Sequence, residues 1–113
     1  MKYLITLLFF LLSFPLLAQT PKASELYRKG EATMLKRDYK KAINFFQKSI
    51  KLRPETCATY RPLGTCYDAI DEYEEAIKAY EKVVDCNPYL SRVIYYDIAL
   101  VYYKAGDLSL IHI

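Results

Sequence analysis

Four kinds of residue recur in this chain at one fixed spacing of 34: Gly30 with Gly64, Ala42 with Ala76, Phe46 with Tyr80, and Pro54 with Pro88. Self-similarity at such a period marks a stacked repeat, whose units are each too small to bury their own apolar face alone. The residue types describe the unit. Gly64 and Ala76 are small where two helices must approach closely, and a larger side chain would push them apart. Tyr67, Tyr73 and Tyr80 set broad rings at helical spacing, with hydroxyls that can stay wet at the edge. Asn87-Pro88 stops a helix, because proline cannot continue it and disfavours helix in the residue before it. Gly106 permits a turn after a further helix. The pattern predicts five helices, near 23–36, 39–52, 57–70, 73–86 and 92–105. Pro62 falls inside the third, where a mid-helix proline costs ~3 kcal/mol, so that helix is expected to start late or kink near Tyr60.

These residues at this period resemble the tetratricopeptide repeat, in which two antiparallel helices form one unit. The second unit matches best: Tyr60, Leu63, Gly64, Tyr67, Tyr73, Ala76, Tyr80 and Pro88 stand at the motif's large, small, aromatic and terminating positions. A third unit opens at Arg92, one residue late, with Tyr95, Ile98, Ala99, Tyr102 and Gly106. The resemblance implies an all-α fold of antiparallel helix-turn-helix repeats stacked as a short solenoid. It covers 23–56, 57–91 and the first helix of a third unit at 92–107. The first unit departs from the motif, with Lys29 and Thr33 at apolar and aromatic places and Arg37 where glycine is usual. A polar outer repeat suits an N-terminal cap.

The resemblance also implies a concave groove walled by the first helix of each unit. Its members would be Tyr27, Glu31 and Met34, then Arg61, Thr65 and Asp68, then Tyr96, Leu100 and Tyr103. Aromatics beside isolated charges suit an extended peptide or a partner helix. The family's basic clamp for chaperone C-terminal carboxylates needs Lys and Asn where Tyr27 and Glu31 stand. Glu31 would repel that ligand, so this activity is not expected.

The ends carry different signals. Lys2 precedes an apolar run from Tyr3 to Leu17, broken by Pro15 and followed by Ala18. This is the pattern of a secretory signal cut after Ala18, and the run is shorter than the ~20 residues that cross a bilayer. Residues 1–18 are therefore expected to be a signal peptide. At the other end, Leu108 to Ile113 read LSLIHI in place of the aromatic and second helix that the repeat calls for. That hexapeptide resembles an in-frame reading of a transposon adapter, so 108–113 is expected to be a non-native tail of a longer array.

Candidate chemistry is sparse. The single histidine, His112, lies in that tail, and neither a nucleophile–histidine set nor a phosphate-binding glycine loop can be assembled. No enzyme activity, cofactor or metal is expected. The formal net charge is +3, and without Lys2 the balance is close to neutral, a weak argument against nucleic acid, although 23–56 is mainly basic and 57–91 mainly acidic. Cys57, Cys66 and Cys86 lack metal-site spacing. In an oxidising compartment Cys57 and Cys86 could bridge, since antiparallel pairing brings their helix ends together; three thiols are the other reading. Cys66 suits a core position facing the neighbouring unit.

The function expected is a non-catalytic interaction or assembly module of a bacterial cell envelope, in the periplasm or at the outer membrane. Signal-bearing chains that open this way resemble the N-terminal part of envelope proteins ending in an OmpA-like, peptidoglycan-binding domain. The alternative is an accessory repeat domain of a larger exported enzyme, such as a peptidase. With its third unit incomplete, the chain is expected to unfold in part or self-associate.

Overall fold

The structure, a computed structural model, describes residues 21–106. The expected signal peptide, the tail and Asp107 lie outside the described residues. Five α-helices follow one another: α1 (Ala23–Leu35), α2 (Tyr39–Leu52), α3 (Tyr60–Ala69), α4 (Tyr73–Cys86) and α5 (Ser91–Lys104). Short 3-10 turns at Cys57–Thr59 and Pro88–Leu90 lead into α3 and α5, and there is no strand among the described residues. The α-helix begins late at Tyr60, which leaves Pro62 in the first turn, where no intrahelical N–H bond is needed.

Helices α1 with α2 and α3 with α4 form two hairpins, while α3 packs on α2 and α5 on α4. Each hairpin closes on the same device. A Cβ on Gly30 would stand 2.6 Å from the Phe46 ring, and one on Gly64 would stand 2.7 Å from the Tyr80 ring. In each unit the glycine is the hollow that receives the aromatic of the second helix. The turns match as well. The Asp38 N–H bonds the Thr33 carbonyl and the Arg37 N–H that of Met34, with the same pair from Glu72 to Tyr67 and Asp71 to Asp68. This Schellman closure needs a left-handed residue. The chain places Arg37 (φ 62°) and Asp71 (φ 63°) there, and Gly106 (φ 75°) at the end of α5. The first two carry a steric penalty that glycine avoids.

Two apolar cores result. Ala42, Ile43, Phe46, Leu63, Cys66 and Ala79 fill the space between the units. Ala76, Tyr80 and Val83 meet Ile94, Ile98 and Val101 of α5. Cys66 has no solvent exposure, and burial pushes its thiol up to about 11, so it stays protonated and unreactive at neutral pH. Cys57 and Cys86 are joined by a disulfide with Cα atoms 5.7 Å apart, which ties the turn before α3 to the end of α4. No helix of the described residues is long and apolar enough to cross a membrane.

Candidate partner-binding groove

The first helices α1, α3 and α5 carry the groove positions, but the three contribute different surfaces. On α1, Tyr27 is half-buried, with its ring centroid 5.7 Å from that of Phe46 at a tilt of 57°. Burial, and then the Glu31 carboxylate beside it, hold the Tyr27 phenol above its usual range. Met34 packs against the inter-unit core. This wall is largely engaged in packing.

On α3 the polar groups are tied to neighbours. Arg61 Nε lies 3.1 Å from Asp97 Oδ2, and Lys104 Nζ lies 3.1 Å from Asp68 Oδ1. Two ion pairs of opposite sense thus lace α3 to α5. Between them the Thr65 hydroxyl donates to the Arg61 carbonyl at 3.1 Å. Its only hydrogen being used, Thr65 accepts from the Tyr80 hydroxyl at 3.2 Å. Burial raises the Tyr80 phenol above its usual range. On the other side of α3, Gln47 Nε2 donates to the Tyr67 hydroxyl at 2.6 Å, which links the two units again.

On α5 the surface is open and apolar. Tyr96 is 66%, Leu100 44% and Tyr103 67% exposed, Val93 one turn earlier on the helix is exposed too, and Tyr89 (96%) is nearly bare in the 3-10 turn that leads into α5. On the α-helix the positions 93, 96, 100 and 103 step by three and four, the spacing of a coiled-coil seam. From Val93 to Tyr103 the helical part runs ~15 Å. On α3 the matching positions Ala58, Arg61 and Thr65 also stay exposed, although α2, α4 and α5 surround that helix. Among the described residues, the packing of the repeats leaves these three positions free.

Sequence reading named Arg61, Asp68, Tyr96, Leu100 and Tyr103, but missed the partners Asp97 and Lys104 and the extension through Tyr89 and Val93. The signal was there: opposite charges at a spacing of 36 join Arg61 to Asp97 and Asp68 to Lys104. No cluster of metal-ligating side chains occurs among the described residues.

The family profile described as tetratricopeptide repeat matches residues 26–56 and 63–89, just over half of the chain. The chain belongs to the tetratricopeptide-repeat family. Tetratricopeptide repeats mediate protein–protein interaction, which accords with an open groove. Crystal structures of MamA are similar, one with a TM-score of 0.71 and 32% identity over 76% of this chain and 50% of that one. The Sgt2 TPR domain from Aspergillus fumigatus shares the fold, with a TM-score of 0.69 and 22% identity over 80% of this chain and 59% of that one. Among curated proteins, small glutamine-rich tetratricopeptide repeat-containing protein 2 of Saccharomyces cerevisiae is 30% identical over 59% of this chain. The heat shock protein sti1 homolog of Schizosaccharomyces pombe is 35% identical over 58%. This tetratricopeptide chain spans only 19% and 11% of the length of those two relatives.

Proposed function

We propose that the protein is a non-catalytic interaction module that captures an α-helix of a partner protein along α5. The observation that carries this is the open stripe of Tyr96, Leu100 and Tyr103, extended by Val93 and Tyr89. Its spacing fits the apolar seam of another helix better than an extended peptide, which would favour a row of evenly spaced pockets. The charges flanking the stripe, Asp97 and Lys104, are already neutralised by α3, so the occupant meets an apolar surface with little net field. Tyrosines give such a surface broad contact area and a hydroxyl rim.

The test is affinity for a designed amphipathic helical peptide with leucines at alternating three- and four-residue steps, beside a scrambled control. Saturable binding of the first alone is expected. Leu100→Glu, a change at an exposed site, should weaken that binding at least about tenfold by setting a charge in the desolvated seam. Equal binding by Leu100→Glu rejects α5 as the site.

The module acts outside the cytosol, in a cell envelope. The basic start, the apolar run from Tyr3 to Leu17 and the small Ala18 support export, and a Cys57–Cys86 bridge suits an oxidising compartment. N-terminal sequencing of protein recovered from cells should begin at Gln19. Retention of Met1 contradicts this reading.

A further inference from the structure

The stack ends on one side at the first unit, since among the described residues no helix precedes α1. Three lysines stand on that end face, Lys29 from α1 with Lys48 and Lys51 from α2, around Leu26, Phe45 and Leu52. No acidic side chain lines this recess. Glu25 shares a second recess with Arg28 and Lys29. The ion pairs among the described residues, however, join Arg53 to Glu55, Arg61 to Asp97, Lys78 to Glu75 and Lys104 to Asp68. The three lysines are in none of them.

The second unit shows what such a face does when a helix packs on it. Leu63 and Ala79, the counterparts of Lys29 and Phe45 at the repeat spacing, are buried with Ala42, Ile43 and Phe46 of α2. The small Ala79 leaves room for that helix. In the first unit Phe45 takes up the room itself, and a helix in the same seat would have to bury the Lys29 ammonium. A hydrated headgroup layer sets no such demand, because lysine can lay its carbon chain on apolar surface while its charge stays wet. Leu52, 52% exposed, extends the apolar part of the face. Lysine also suits scattered phosphates as a point charge, whereas a planar anion is better gripped by the arginine fork.

The charge of the whole chain turns the same face outward. Residues 23–56 hold nine basic and four acidic side chains, and 57–91 hold three and seven. An anionic surface therefore attracts the first unit and repels the second, so the molecule meets it end-on. Pro21, four residues past the apolar run that ends at Leu17, lines the same recess, so the chain enters the fold at this face. We infer that the α1–α2 end face docks on the anionic headgroups of a lipid bilayer. Lys29, Lys48 and Lys51 meet the phosphates, and Phe45 and Leu52 rest at the apolar boundary. The seam on α5 lies at the other end of the stack and stays open to a partner. This docking goes beyond helix capture and does not depend on it.

The test measures partition of the full chain recovered from cells onto vesicles of phosphatidylcholine, alone or with about one-third phosphatidylglycerol, at about 0.1 M salt. The ratio of the two partitions is read, because an apolar run still attached to the chain favours both alike. A ratio well above one that falls as salt is raised is expected. Lys29→Gln with Lys48→Gln and Lys51→Gln should cut the anionic partition about fivefold per lysine, on the order of a hundredfold together. Leu52→Gln, which changes no charge, should cut it several-fold. Lys78→Gln with Lys82→Gln, in the second unit, should leave it within about twofold. A ratio near one, a folded triple variant that binds as before, or an equal loss in the second-unit variant overturns the face. Polyglutamate that displaces the chain at matched charge overturns it too, since an acidic protein is then the preferred partner. Capture of the helical peptide on α5 should survive the lysine changes, so either reading can fail without the other.

Discussion

Helices α3 and α5 occupy equivalent places in successive units, and residue i of α3 corresponds to residue i+35 of α5. Their buried faces agree: Cys66 and Val101 are both enclosed, as are Leu63 and Ile98. Their groove faces do not. Arg61, Thr65 and Asp68 on α3 are held by Asp97, Tyr80 and Lys104, whereas Tyr96, Leu100 and Tyr103 on α5 are held by nothing among the described residues. Stacking constrains one face of a repeat helix and leaves the other to function. Where the free face is polar it has been used to lace two units together; where it is aromatic it stays available.

The starts of the two helices differ most in energy. Cys57 before α3 is bridged to Cys86, while its counterpart Arg92 on α5 has no such tie. Cys57→Ser with Cys86→Ser should lower stability by ~3 kcal/mol, read as a shifted denaturant midpoint, if the bridge acts by restricting the unfolded chain. Mass spectrometry of the native protein should count one free thiol, and three after reduction. Three thiols before reduction would remove the bridge and this difference with it.

Packing comes next. Gly64 lies against the Tyr80 ring, whereas the matching residue on α5 is already alanine, Ala99. Gly64→Ala brings a methyl within 2.7 Å of that ring and should destabilise by ~2 kcal/mol, since the ring must shift. No loss of stability in thermal melts would show that the ring yields freely.

The turns that end the helices supply a smaller effect of opposite sign. Asp71 after α3 holds φ 63° while Gly106 after α5 holds φ 75°. Asp71→Gly should raise stability by ~1 kcal/mol, by removing the clash of Cβ with the following carbonyl. An unchanged or lowered midpoint would mean that the Tyr73 hydroxyl, which donates to Asp71 Oδ1 at 2.9 Å, matters more than the turn.

The smallest effect is the lacing itself. A double-mutant cycle on Arg61→Gln and Asp97→Asn should give a coupling of ~0.5 kcal/mol that fades in salt, because Arg61 is half-exposed. A coupling near zero at low salt would leave the two faces unlinked.

How much of this was legible in the sequence follows from the same contrast. Glycine and aromatic pairs 34 residues apart, such as Gly30 with Gly64 and Phe46 with Tyr80, revealed the hairpins because each unit repeats the same close contact. Arg37 stood out as a missing glycine. Asp71 did not, since aspartate is common in turns and only the backbone shows its positive φ. The pairs Arg61–Asp97 and Asp68–Lys104 cross between units, outside the repeat period, so a search for identities could not find them. Whether Tyr96 is open or covered depends on which helices surround it, and periodicity alone does not say.

The most direct test is to map where the designed amphipathic helix lands, using amide shifts of the labelled full chain. Perturbations should centre on Tyr96, Leu100 and Tyr103 and continue to Val93 and Tyr89, with α1 little changed. Shifts confined to α1 and α2, or a chain that leaves the peptide free while α5 is folded, would contradict it.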